Sequence, residues 1–254
     1  MHFGMSDKRK VMKRTFIHLC GAMLVSGLAL AQTGDEILKK VDRNLMPEAF
    51  ESYRKLINIE PDGSKREFIL FSLKKGNDKV VSLFISPASE EGRATLRLGD
   101  NMWLYIPNVG KPIRITSLQS VVGGVFNNSD ILRLDYSVEY EVSEMQDSDE
   151  TYLLNLKAKT GTVAYDRLEM TVDKKVLVPI EIKCFASSGL LVKTLHFKEM
   201  KSFDGGLRRP SVVETDSPLQ KGYKSVMIFA NIKKRDLPDE AFTLNFLPRV
   251  ESLR

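Results

Sequence analysis

From residue 50 onward, apolar and polar residues alternate in short runs broken by turn residues, and a period of two predicts β-strands. A first series covers residues 50–59, 66–73, 80–85, 94–98, 102–106 and 113–115, punctuated by Pro61-Asp62-Gly63, Gly76-Asn77-Asp78, Pro87, Gly99-Asp100 and the stretch 107–112. A second covers residues 136–142, 151–157, 167–172, 178–186, 190–198, 211–215 and 223–232. Connections this short predict a meander of antiparallel hairpins. Two stretches depart from the period. Residues 34–46 carry Ile37, Leu38, Val41 and Leu45 at helical spacing, opened by a Thr33/Glu36 capping box and stopped by Pro47, and predict an amphipathic helix. Residues 118–135 place Leu118, Val121, Val122, Val125 and Phe126 before an Asn127-Asn128-Ser129-Asp130 capping signal and then Ile131, Leu132 and Leu134. They predict one or two short helices, the first weakened or bent by Gly123-Gly124 at about 1 kcal/mol each relative to Ala.

Several strands are one-sided. Tyr136, Val138, Tyr140 and Val142 alternate with Ser137, Glu139 and Glu141, and Leu168, Met170 and Val172 alternate with Glu169, Thr171 and Asp173, as in a sheet with one dry face. Residues 68–71 and 102–106 are apolar on both faces, so their second face also needs cover. With no repeat or linker, residues 32–254 read as one mainly β (α+β) domain, of a size that commonly forms a single core.

The N-terminus changes the charge picture. Lys8, Arg9, Lys10, Lys13 and Arg14 precede an apolar run over residues 16–30 that ends in Ala29-Leu30-Ala31, which is the pattern of a secretory signal peptide over residues 1–31 cleaved after Ala31. Met12 is an alternative start, since Met12-Lys13-Arg14 already supplies the basic region. The run is shorter than the ~20 residues that span a bilayer, and Cys20 lies inside it without the small residue that lipidation requires before the cysteine. The expected location is the periplasm. Cleavage leaves 33 basic against 32 acidic residues, a net charge of +1 in place of +5, so the high pI is no sign of nucleic-acid binding. Cys184 alone remains, which excludes an internal disulfide.

Catalytic readings lack residues. The mature part keeps one histidine, His196, which excludes histidine-pair zinc motifs. It lies opposite Leu195 and Phe197 and reads as a solvated strand residue. Phosphate-binding glycine loops and G-x-S-x-G are absent, and the two S-x-x-K matches, at Ser52 and Ser72, fall in strand-like stretches. Cys184, in phase with Ile180, Ile182 and Ala186, reads as a small core residue. Asp147, Asp149 and Glu150 read as a solvated turn, and Lys233-Lys234-Arg235 as a solvated strand end. No enzyme, metal or cofactor is expected.

The order Asn101-Met102-Trp103-Leu104-Tyr105-Ile106-Pro107, then residues 111–115, then Asn128-Ser129-Asp130-Ile131, resembles the LolA-like outer-membrane lipoprotein-sorting family. With the signal peptide, first helix and meander, the resemblance extends over most of residues 32–254. It implies a strongly curved antiparallel sheet, an incomplete β barrel, with the N-terminal helix and the mid-chain helical insertion on its concave side, enclosing an apolar cavity. It also implies a carrier of acyl chains of lipoproteins or lipids, with an inner-membrane transporter and an outer-membrane acceptor as partners and no nucleic acid. The alternative is a regulatory or transporter-accessory module that senses lipidated partners. The candidate cavity or lid residues are Met102, Trp103, Leu104, Tyr105, Val121, Val122, Val125, Phe126, Ile131 and Leu134. Trp103 and Tyr105 share one strand face and Met102, Leu104 and Ile106 the other, so one set is expected toward the cavity.

Overall fold

The computed structural model describes residues 1–4 and 32–254; the expected signal peptide and its cleavage site lie outside the described residues, apart from the first four. Helix α1, Gly34–Leu45, begins with the capping box, the Thr33 hydroxyl accepting from the Glu36 N–H and the Glu36 carboxylate accepting from the Thr33 N–H. Thirteen strands then form one antiparallel sheet: β1 Ala49–Ile59, β2 Lys65–Lys75, β3 Lys79–Ser86, β4 Ala94–Leu98, β5 Asn101–Tyr105, β6 Ile113–Ile115, β7 Tyr140–Asp147, β8 Thr151–Ala158, β9 Arg167–Asp173, β10 Val178–Phe185, β11 Leu191–Ser202, β12 Arg208–Asp216 and β13 Lys224–Lys234.

Two meanders, β1 to β6 and β7 to β13, are joined by the pairing of β1 with β13. The outermost strands β6 and β7 do not pair, so the sheet curls without closing. Register shifts at Tyr53/Arg54, Ile69/Leu70, Val142/Glu144 and Cys184/Phe185 mark the bulges that bend strands and raise local twist. This topology dictates the next feature: the chain between β6 and β7 has to travel from one open edge to the other.

It does so across the concave side. Residues 116–127 form turns closed by a Ser120–Asn127 bridge, where one or two helices were expected from residue 118. Val122 (φ 47°) and Gly123 (φ +73°) adopt left-handed backbone that breaks a helix, and a Cβ on Gly124 would collide with the Asn58 side-chain amide, so with Asn58 in place glycine is what lets the loop approach β1 this closely. Helix α2, Asn128–Ile131, follows with its own capping box between Asn127 and Asp130. Helix α3, Tyr136–Glu139, replaces the expected start of a strand at residue 136, and Val138 is exposed rather than inward. The cause is Asp42 on α1, whose carboxylate accepts the Tyr136 and Ser137 N–H groups at 2.7 and 2.8 Å and so satisfies the first donors of the helix.

Two apolar layers result. On the concave side, Ile37, Leu38 and Val41 of α1 pack with Leu56, Leu70, Leu154, Met170, Ile182 and Phe229 from the sheet. On the convex side, Phe71, Leu73, Val81, Leu83 and Leu96 are covered by residues 237–253, two short 3-10 helices that deliver Leu237, Phe242, Phe246, Leu247 and Val250. That C-terminal segment is the second cover that the doubly apolar strands require. Among the described residues, no helix is long and apolar enough to cross a membrane.

Candidate functional site

The site is the space between the concave face and residues 116–139. Met102 and Leu104 of β5 meet Leu132 and Leu134 there, together with Val80 and Ile115. Val121, Phe126 and Ile131 join the main concave core, with Val122 packed at its margin. Val125 is buried beside β13, its N–H donating to the Ser225 hydroxyl at 2.9 Å. The structure thus gathers eight of the ten candidate residues at the underside of the crossing segment or on the face it covers. Trp103 and Tyr105 lie on the opposite face, against the C-terminal segment, with the Arg114 guanidinium 5.7 Å from the Trp103 ring.

What pattern reading missed is the set of charged residues at inward positions. Arg54, Lys74, Arg97, Lys193 and Arg209 all point to the concave side and are at most 5% exposed. Four of them fasten the crossing segment. Arg54 on β1 donates to the Ile131 carbonyl at 3.1 Å and to the Ser72 hydroxyl at 2.5 Å. Lys74 on β2 pairs with Asp135 at 2.8 Å. Arg97 on β4 pairs with Glu139 at 2.5 Å and donates to the Leu132 carbonyl at 3.3 Å. Lys193 on β11 pairs with Asp130 at 2.5 Å and donates to the Val125 carbonyl at 2.8 Å. Asn58 adds a bond from its side-chain amide to the Val122 carbonyl at 3.3 Å. The sequence signal was phase: in β1 Arg54 keeps step with Phe50 and Leu56, not with the outward residues.

The chemistry around these groups is that of burial. Burial pushes Cys184 up, out of the range in which it is a nucleophile. Tyr140 and Tyr165 are likewise pushed up by burial, with the charges of Glu139 and Asp130 adding to it. His196 sits on the other face between Glu181 and Asp216, at 3.3 and 3.2 Å, as a partly exposed strand residue. Under the segment the spaces are small. Cavities of about 10 and 40 Å³ flank Arg54 and Arg133, and one of about 20 Å³ lies between Tyr136, Tyr165 and Cys184. A shallow pocket of about 130 Å³ opens beside Gly124, Val192 and Leu219 at the rim.

This architecture has solved counterparts. A LolA superfamily protein from Nitrosomonas europaea is 28% identical, the alignment covering 85% of this chain and all of that one, with a TM-score of 0.77. A candidate outer membrane lipoprotein-sorting domain from Vibrio parahaemolyticus is 19% identical over 85% of this chain and 98% of its own, at a TM-score of 0.72. A DUF1329 family protein from Desulfovibrio piger is 22% identical over 84% and 97%, at 0.73. No curated protein matches the sequence. A family model described as "Uncharacterized protein" matches residues 76–249, which run from the turn before β3 through the crossing segment to the C-terminal helices. The chain belongs to that family, and its fold is LolA-like.

Proposed function

We propose that this protein is a non-catalytic periplasmic carrier that holds the acyl chains of lipoproteins or other lipids between its concave face and residues 116–139, which act as a lid. The observation that carries this reading is how the lid is held: an apolar underside, fastened to the sheet by buried polar and ionic contacts. Ligand pockets commonly measure about 300–1,000 Å³, far above the 40 Å³ beside Arg133, so a chain enters the space beneath the lid only as the lid leaves. The two kinds of contact respond differently to that event. Apolar surface exposed by opening costs about 25 cal/mol per Å², whereas an ion pair that opens into water regains the hydration it lost on burial. An acyl chain that takes the place of the lid's underside offsets the first cost. Binding and opening then form one equilibrium, shifted by the ligand's preference for the open state.

Such a carrier answers a physical need, since each acyl CH₂ hidden from water gains about 0.8 kcal/mol and a full chain does not cross an aqueous compartment unaided. The lipoprotein-sorting description of the Vibrio neighbour supports this ligand class, and the basic and apolar N-terminus of the sequence supports the periplasm. The test is purification from the periplasm without detergent, mass spectrometry of the extract, and transfer of the recovered lipid between donor and acceptor vesicles. Bound lipid and transfer are expected. An empty protein that transfers nothing and instead holds one protein partner tightly points to a regulatory module and overturns the carrier reading.

A further inference from the structure

Three arginines, two on the sheet beneath the lid and one on the lid itself, share one space. The guanidinium carbons of Arg54 on β1 and Arg209 on β12 lie 5.9 and 4.1 Å from the centre of the Phe229 ring, and so within 10 Å of each other. Arg133, contributed by the lid and set 4.6 Å from the Tyr136 ring, lines the same cavity of about 40 Å³. That volume exceeds the ~10–15 Å³ at which a cavity admits a water.

The hydrogen bonds of this cluster are incomplete. Arg209 is fully buried, donating from Nε to the Pro210 carbonyl at 2.9 Å and from Nη1 to the Leu45 carbonyl at 2.5 Å, while its Nη2 has no partner among the described residues. Arg54 is 5% exposed and its Nε has none either. Carboxylates nearby are committed elsewhere. Asp135 and Glu139 pair with Lys74 and Arg97, Asp42 accepts from the Tyr136 and Ser137 N–H groups, and Asp130, which lines the cavity, accepts from Lys193 and from the Asn127 N–H. A buried charge without a counter-charge costs several kcal/mol, and arginine does not escape the cost by losing its proton. The same burial shows in their acidities: burial, and then the charge of Arg133, push Arg54 down to about 10, and burial together with the charges of Arg133 and Arg54 holds Arg209 well below its ordinary value. Arg133 is lowered by burial too, but Tyr136, Asp42 and Asp135 outweigh that and leave it raised.

Guanidinium groups present forked donors that match carboxylate and phosphate oxygens, and the surrounding walls are Met46, Phe126, Leu195, Phe197, Val213 and Phe229. We infer that Arg54, Arg133 and Arg209 form the binding site for the oxyanionic head group, a carboxylate or phosphate monoester, of the acyl ligand whose chain occupies the apolar interior. This rests on the carrier reading and adds what that reading does not supply, a preference for anionic over neutral amphiphiles. Arg133 travels with the lid, so a seated head group would also draw the lid back toward β1 and β12.

The test uses the delipidated mature protein and three ligands with one chain length, hexadecanoate, hexadecyl phosphate and hexadecanol, in a fluorescence displacement assay. Both anions are expected to bind at least 10-fold more tightly than the alcohol, and Arg209→Gln is expected to shrink that gap to under 3-fold. Equal affinity for all three in the wild-type protein overturns the anion site and leaves the carrier standing. Failure to bind any of the three overturns the carrier itself. Inorganic phosphate or acetate binding as tightly as the amphiphiles overturns the head-group assignment in favour of a small-anion site. The wild-type comparison decides even where Arg209→Gln does not fold.

Discussion

Arg97 on β4 and Glu139 at the end of α3 meet at 2.5 Å with both side chains almost fully buried, and so tie the far end of the lid to the first meander. Removing one partner of a buried pair leaves the other charge uncompensated, at about 3–5 kcal/mol, whereas removing both restores most of that loss. Arg97→Leu is therefore expected to destabilise the protein by about that amount, and the Arg97→Leu/Glu139→Gln double variant to recover at least half. Chemical denaturation of the four proteins of this cycle measures it. Additive losses would show that the pair carries no coupling and that the lid is held by its apolar contacts alone.

Asp42 carries a pH dependence of opposite sign to that of an ordinary paired carboxylate. Burial is the main cause that raises its pKa to about 6, with the Asp135 charge adding, against the N–H groups of Tyr136 and Ser137, which lower it. Between about pH 4 and 6 the folded protein holds a proton that the unfolded chain has released, so stability falls as pH rises through this window. The contribution is roughly 3 kcal/mol, at 1.36 kcal/mol per unit of pKa, and is complete above pH 6. Denaturation midpoints of wild type and Asp42→Asn compared at pH 4 and pH 7 should show the wild type losing ground to the variant at the higher pH. A constant difference across the range would mean that Asp42 titrates near its ordinary value.

The strands were legible because their period of two is enforced by the sheet itself: a one-residue slip would turn Leu168, Met170 and Val172 outward, so the alternation in sequence is the alternation in space. The two capping boxes were legible for a similar reason, since Thr33 with Glu36 and Asn127 with Asp130 act within one turn. Distance in the chain hid the rest. Tyr136–Glu139 has strand-like alternation, and its helical form depends on Asp42, 94 residues earlier. The five inward cations break the rule that charge faces water, and each is understood only once the lid or a neighbouring carbonyl is in place to receive it. Of the candidate site, Met102, Leu104 and the lid residues fall where an apolar pattern puts them, but no pattern within β5 says which of its faces the C-terminal segment will cover.

That cover makes Trp103 a reporter of the convex face. It packs with Tyr105 and Leu98 near Phe242 and Phe246, away from the concave site. Its emission is expected to stay constant when acyl ligands are added and to shift to longer wavelength when residues 237–254 are deleted. Since Trp103 is the chain's single tryptophan, the signal is unambiguous. A ligand-dependent change in the full-length protein would place the binding event on, or coupled to, the convex side.

A covalent tether between lid and sheet tests whether the lid has to move. A Cβ built on Gly124 stands 2.5 Å from the Cγ of Asn58, one bond short of the Asn58 Cβ, so the two Cβ positions lie no more than about 4 Å apart, within reach of the 3.5–4.5 Å of a disulfide. Asn58→Cys with Gly124→Cys in a Cys184→Ser background would join the lid's glycine turn to β1, next to the middle strand of the sheet. Removal of the Asn58 side chain also clears the space that a residue at position 124 needs, and Cys184, buried beside Ile182, leaves a thiol-free core on replacement. The reduced protein is expected to bind acyl ligand at least as tightly as the wild type, because the Asn58 bond to the Val122 carbonyl no longer holds the lid, and the oxidised protein to bind at least 10-fold more weakly than the reduced one, because the tether withholds the open state that the chain selects. Reduction should restore binding in the same sample, which separates tethering from damage to the fold. Equal affinity in the oxidised and reduced forms would make residues 116–139 a fixed part of the core, with the ligand entering by another route such as the rim pocket beside Val192 and Leu219.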